Sequence, residues 1–514
     1  MSIIDQPAQR TAQGSPVTDR RAWLGLVVLT LPVFLVSMDS SALNLAIPTI
    51  TAGLDPSAAQ LLWIIDIYGF LLAGLLITMG NIGDRIGRRR ILLIGATVFG
   101  LASVVGAFAP NAEVLIAARA VMGIGGATLM PASLSLITNM FRDPRARAKA
   151  IGIWSASFAA AAALGPVIGG VLLHHFWWGS IFLINVPVLV LLLVVAPVLL
   201  PEYRSPSTSR FDIVGVVLSL SGILPLVYAI KHTASEGLDT QGVVVALIGV
   251  VALASFVVFE AHTDSPLLDL KLFSHSGFTA AILAALGGTV TFAGVTYLSA
   301  IYLQSVRGLD VLTAALIGIP MAATVAFGSM VSPRLTSLLG VRWGFFSALT
   351  LTAVGVSGLI TLTTDSPLWV FMLSTAVAGV GIGVFFTLVS DVAVSEVEPE
   401  RSGAAAGLSE TSFELGHALG LAVLGSIATL VFRDRAGNLP FADTLGETLQ
   451  HAQQMGGSRG DELAEAARMA FVDSMHVVAV ISSVGIFALA VLVSFLLRPK
   501  DRRPKTDQPQ ATVD

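Results

Sequence analysis

Apolar stretches of about 20 residues recur from one end of this chain to the other, and that is the length an α-helix needs to cross the ~30 Å hydrocarbon core of a bilayer. Fourteen fall near residues 23–46, 57–80, 91–109, 113–136, 149–173, 179–200, 211–230, 241–260, 277–303, 312–332, 340–362, 367–391, 403–432 and 471–497. Inside lipid every backbone N–H and C=O must be paired within its own segment or barrel, so runs of this length cross as helices. The expected fold is therefore an all-α polytopic membrane protein. Charged residues are only 12% of the 514, half the share of about 25% usual in soluble domains. That is too little to clothe a water-facing surface. The 49 glycines agree, since small residues let helix backbones approach where lipid supplies no hydrophobic drive to associate. With no cysteine in the chain, disulfides, thiolate metal sites and thiol chemistry are excluded.

Orientation follows from the basic residues between the runs. With the N-terminus inside, 22 of the 29 Lys and Arg fall in cytoplasmic segments, six fall outside, and Arg119 lies within a span. The polar start and the long first apolar run, which lacks a small-residue cleavage site, read as a retained first span rather than a signal peptide. The connection 433–470 is then extracytoplasmic. Its "DELAEAARMAF" reads equally as part of a small amphipathic hairpin or as a linker.

Four short motifs stand out. "GNIGDRIGRRR", Gly80 to Arg90, sets Gly80, Gly83 and Gly87 for a tight turn, Asp84 to cap a helix or pair with a base, and Arg85 and Arg88 among the residues that hold the loop inside. "LIAARAVMGIGGA" (Leu115 to Ala127) places Arg119 ahead of glycines. "LGPVIGGVL" (Leu164 to Leu172) combines a Pro166 kink with Gly165, Gly169 and Gly170 for close helix contact. "MDSSALNLAIPTI" runs from Met38 to Ile50. In these residues, in this order, the chain resembles the major facilitator superfamily, and specifically its fourteen-span drug:proton antiporters. Ser41 and Ile47 depart from that group's first-helix pattern, which has Thr and Leu there.

The resemblance implies a major facilitator fold with 14 transmembrane helices and both termini cytoplasmic. A tail, 1–22, would precede a six-helix bundle, 23–200. Two additional helices, 201–270, would lead to a second bundle, 271–497, that includes the 433–470 loop, and a tail, 498–514, would follow. It also implies alternating access by rocking of the bundles. Gly80, Asp84, Arg85, Gly87 and Arg88 would serve conformational gating, and Gly165, Pro166, Gly169 and Gly170 would serve the extracellular gate. "SPRLTSLLGVRWG" (Ser332 to Gly344) falls where a degraded second copy of the Gly80 loop would lie.

An ionised group at mid-bilayer costs roughly 2.5–3.5 kcal/mol even on insertion scales, so each one kept has a function or a partner. Asp39 lies well inside the first span and suits a proton carrier, because protonation neutralises it; structural pairing with Asn44 or a neighbouring helix is the alternative. The resemblance implies a coupling role for Arg119, a fixed positive charge near Asp39 or near a proton relay; satisfying helix carbonyls and a bound carboxylate is the alternative. Asp66, beside Trp63 and Tyr68, can hold a lipophilic cation by charge and cation–π contact, or snorkel to water. Glu410 and Glu414 share one helix face four residues apart. Like charges so placed repel, and the pair can trade a proton for a cation without leaving a bare double charge in lipid. In the resembling family acids here look like those of the quaternary-ammonium and methyl-viologen exporters. A plain polar helix face, closed through His417, is the other reading. Asp391 is expected at a helix boundary, and Asp212 as a helix cap.

The expected function is a proton-coupled multidrug antiporter of the cytoplasmic membrane, monomeric, expelling hydrophobic organic cations such as quaternary ammonium compounds and dyes. No enzyme activity, cofactor, metal site or nucleic-acid partner is expected. The glycine runs at 123–127 and 379–383 lie within apolar helices with no preceding strand, so they are not nucleotide loops. The same fold exporting a metabolite, an antibiotic or a zwitterionic drug is the nearest rival. A non-transporting sensor or scaffold would need a soluble domain that this sequence does not contain.

Overall fold

The computed structural model describes residues 19–204, 212–236, 239–263, 266, 268, 270–398, 402–437 and 444–498. Every regular element among them is helical. In order they are α1 (Asp19–Leu54), α2 (Ala58–Ile86), α3 (Arg88–Ala107), α4 (Ala112–Met140), α5 (Pro144–His175), α6 (Ser180–Leu183), α7 (Asn185–Leu199), α8 (Ile213–Glu236), α9 (Thr240–His262), α10 (Ser276–Ile301), α11 (Val311–Ser357), α12 (Leu368–Ser395), α13 (Ser402–Ala436), α14 (Leu445–Met455) and α15 (Gly457–Leu496). Twelve helices among the described residues are long and apolar enough to cross a membrane. One of these, α11, runs 47 residues through Gly340, whose φ of 77° and ψ of 164° break the helix.

Local chemistry starts and stops these helices. Ser57 and Gln60 cap α2 reciprocally, each side chain accepting the other's backbone N–H. Asn111, Asp143 and Asp310 cap α4, α5 and α11, and Asp212 accepts the N–H of Gly215 at 2.7 Å. Gly87, at φ 118°, supplies the turn between α2 and α3 that a side chain would strain. Gly340 recurs at the matching place in the second half, inside the degraded motif copy. The single run expected over 179–200 is interrupted between α6 and α7, because Pro187 has no N–H to bond the Leu183 carbonyl.

Two large apolar clusters divide the helices. One joins α1 to α7 through residues such as Leu29, Phe99, Met122, Trp154, Phe182 and Leu192. The other joins α10 to α15 through Tyr302, Phe345, Phe385 and Met475. A smaller cluster (Phe70, Ile77, Ile223, Val227, Phe256) seats α8 and α9 against α2. The connection after α13 forms a helical hairpin: α14 buries Leu445, Thr448 and Ala452, and α15 contributes Leu463 and Ala467. Of the expected tails, 1–22 and 498–514, residues 1–18 and 499–514 lie outside the described residues, while 19–22 already belong to α1; the side chains of Asn44 and Pro166 also lie outside them.

Candidate functional site

Helix α13 is the seam on which the two halves meet, and glycines set its register against α2. A Cβ on Gly80 would collide with the Gly403 carbonyl, and one on Gly407 would lie 2.5 Å from the Leu76 oxygen. One turn on, Thr411 Oγ1 reaches the Ala73 carbonyl at 3.5 Å. Continuing that step along both helices brings Glu414 level with Phe70 and puts Asp66 one further turn along α2. Glu410 is 5% exposed and its Oε1 accepts no hydrogen bond, while Glu414 and Asp66 are half-buried. His417 is exposed. By this register Asp66, Glu410 and Glu414 fall along the stretch where α2 and α13 run side by side.

Asp39 and Arg119 form a different kind of site, inside the first half. They are 3% and 1% exposed and ion-paired with one another. Asn185 Nδ2 donates to the other Asp39 oxygen at 3.3 Å, and Arg119 Nε donates to the Ile64 carbonyl at 3.3 Å. The guanidinium sits 4.5 Å from the centre of the Tyr68 ring, which is itself buried. Tyr68 therefore backs Arg119 and Phe99, at 6.3 Å between ring centres. Trp63 turns the other way, to Tyr228 of α8, and is 41% exposed. The two aromatic residues expected to flank Asp66 are on opposite sides of α2. Their five-residue spacing explains this, since it turns a helix by well over a right angle.

At the end that carries the basic loops, two polar clasps hold the halves together. Asp84 accepts the N–H groups of Gly403 and Ala404, at 3.1 and 3.2 Å, where the positive end of the α13 dipole concentrates. Arg88 pairs with the same carboxylate at 2.7 Å, and Arg85 donates to Asn81 at 3.0 Å. The second clasp joins Arg147 of α5 to Asp391 of α12 at 3.4 Å, with Arg147 also donating to Ser395 at 2.8 Å. Asp391 is thus a cross-half ion-pair partner and not the simple helix boundary expected of it. Near this end the α5 backbone approaches α11 so closely that a Cβ on Gly152 would lie 2.6 Å from the Ser329 oxygen.

Toward its other end α5 makes no such approach at Gly170. Gly165 and Gly169 are buried, but a Cβ on Gly170 would meet nothing within 4 Å, and Leu164 and Val171 are 43% and 56% exposed. The close helix contact expected at Gly170 is absent in this conformation.

Sequence reasoning missed three participants. Asn185 was signalled only by its place two residues before Pro187. Arg147 was hidden among loop arginines that all serve topology. Phe386, whose ring meets Phe158 of α5 across the halves at 6.5 Å, sits in "GVFFTL" with no signal to distinguish it. Among the described residues no cluster of His, Asp and Glu could hold a metal ion.

Comparison with known proteins identifies the family. The profile of the Major Facilitator Superfamily matches residues 29–430. The multidrug efflux pump LfrA of Mycolicibacterium smegmatis is 39% identical over 498 residues, 95% of this chain and 99% of that protein. The methyl viologen resistance protein SmvA of Salmonella typhimurium is 34% identical, over 94% and 100% of the two chains. Among solved structures, the human organic anion transporter MFSD10 (TETRAN) superposes with a TM-score of 0.61, covering 93% of this chain and 99% of that one; at 16% identity the likeness is one of fold. The chain belongs to the Major Facilitator Superfamily, among its drug-efflux members.

Proposed function

We propose that this transporter exports hydrophobic organic cations in exchange for protons. The observation that carries the reading is Glu410: a carboxylate 95% removed from solvent, with an oxygen that accepts no hydrogen bond, on the helix where the halves meet. Such a group is costly unless a positive ligand or a proton arrives to meet it. Glu414 and Asp66, farther along the seam, extend the negative surface, and an anionic cargo is electrostatically disfavoured there. The named relatives, a multidrug pump and a methyl viologen resistance protein, fit the same reading.

Protons enter the scheme through Asp39. Protonation removes the charge that Arg119 balances and releases Asn185, so occupancy by a proton alters the packing of α1, α4 and α7. Each proton moving inward supplies about 2.3 kcal/mol per 100 mV of membrane potential. The clasps of Asp84 and Arg147 must open for the inward-facing state, and the glycines of 165–170 must close on their neighbours in return. Fourteen spans, both termini in the cytoplasm, bundles of 23–200 and 271–497 flanking two additional helices, and a monomer in the cytoplasmic membrane complete the proposal.

The test is ethidium efflux from energised cells or inside-out vesicles, with and without a protonophore. The parent should lose efflux when the protonophore is present, and Asp39→Asn and Glu410→Gln/Glu414→Gln should lose it without one. A parent that reaches the membrane and moves no cation would sink the substrate claim and send the search to metabolites and zwitterions.

A further inference from the structure

Where α5 of one half abuts α12 of the other, rings from four helices converge. Phe386 of α12 is the hub. Its ring centre lies 4.9 Å from Phe413 of α13, 5.9 Å from Phe292 of α10 and 6.5 Å from Phe158 of α5. These four rings are half-buried, whereas the adjoining Phe385 is completely covered. Rings that served only to fill a core would be covered as Phe385 is. Phe413 stands one helical turn from Glu410 and next to Glu414, so the aromatic faces and the unmet carboxylate belong to one neighbourhood.

Phe158 and Phe386 have a geometry of their own. They come from opposite halves, and their planes are tilted by 58°. A flat ring held between two others needs roughly 7 Å between them, two carbon contacts of about 3.5 Å each. At 6.5 Å between centres the two rings are about that far apart, and a flat ligand enters as their planes swing from 58° toward parallel.

We infer that Phe158 and Phe386 form an aromatic clamp that selects flat aromatic cations over alkyl ammonium ions, with Glu410 supplying the counter-charge. The inference rests on the cation-export reading. The clamp is made of one ring from each half, so it is complete only while α5 and α12 are together at this level. A ligand between the rings touches both halves at once, and separation of the halves dismantles its site.

The experiment measures equilibrium binding of ethidium and of tetrabutylammonium to purified full-length protein, for the parent, Phe386→Leu, Phe158→Leu, Phe386→Tyr and Glu410→Gln. Leucine keeps apolar bulk and removes the ring. The expected result is an ethidium Kd raised about tenfold in each leucine variant, tetrabutylammonium affinity within about twofold of the parent, and ethidium binding restored by tyrosine at 386. Glu410→Gln should weaken both ligands. Equal weakening of both ligands by the leucine variants, or no weakening of ethidium, overturns the clamp and leaves cation export standing. A parent that binds neither cation overturns cation export and the clamp together.

Discussion

Asp39 and Glu410 are both carboxylates buried in the membrane-spanning part of one protein, yet their surroundings are opposites. Asp39 has Arg119 on one oxygen and Asn185 on the other. Glu410 has Glu414 as its nearest charge in sequence, and its Oε1 is left unmet. A buried charge that is fully paired is part of the fold, and removing its partner is costly. A buried charge left wanting is a standing cost that a ligand can relieve. On the proposed function, the difference separates the residue that carries the proton from the residue that meets the cargo.

The strongest way to break that comparison is Asp39→Asn, which leaves the Arg119 guanidinium buried without its carboxylate. Breaking a buried pair in this way costs about 3–5 kcal/mol, so the melting temperature in detergent should drop sharply along with transport. Asp39→Asn/Arg119→Gln should recover much of the stability and none of the proton coupling. If the single variant melts like the parent, the ion pair is not the structural element described above. Glu410→Gln should behave in the reverse sense. Cation transport falls about tenfold or more, equivalent to at least ~1.4 kcal/mol of lost recognition, while the melting temperature holds or rises because an unmet charge is gone.

A second contrast, between the clasped end and the open space at Gly170, is sharpened by two alanines. Gly80→Ala drives a methyl group into the Gly403 carbonyl, and Gly170→Ala drives one into open space. Because the chain has no cysteine, a single cysteine at Ser329, buried where α11 meets Gly152 of α5, reports opening without background. Gly80→Ala should raise its labelling rate several-fold, about 1 kcal/mol of shifted equilibrium. Gly170→Ala should leave it unchanged or lower it, since added bulk there obstructs the closure that must accompany opening of the clasped end. A lowered rate in Gly80→Ala would show that the α2–α13 contact does not hold the clasped end shut.

Much of this was legible in the sequence because lipid enforces simple rules. Apolar runs of spanning length had to be helices, and the basic loops had to gather at one end. Gly80 and Asp84 could be singled out because a tight turn and a helix-capping acid have few substitutes. Side-chain direction was the part that could not be read. Trp63 and Tyr68 sit together in the sequence, yet helix rotation sends one to α8 and the other to Arg119. The Arg147–Asp391 pair joins residues 244 positions apart, and no local pattern marks such a partner. Phe386 was invisible for a related reason: in a chain this apolar, a phenylalanine in a cluster at the seam spells the same as one facing lipid.

A third carboxylate completes the series at its mildest end. Asp310, outside the spans, caps α11 by accepting the N–H groups of Leu312 and Thr313, at 3.0 and 3.1 Å, and the Thr313 hydroxyl at 2.6 Å. The Thr313 hydroxyl and backbone hydrogen bonds favour the charged form and hold its pKa below the ordinary value of 3.8. The folded pKa is the lower one, so the stabilisation is fully present above about pH 3.8 and is lost as the pH falls through the folded value. Asparagine caps a helix about as well and carries no charge. Asp310→Asn should therefore melt slightly below the parent at pH 7, and the gap should close as the medium is acidified below the ordinary carboxyl range. Melting curves that stay parallel down to that pH would show that the cap works through its shape alone, and that among these three carboxylates only the buried ones make their charge felt.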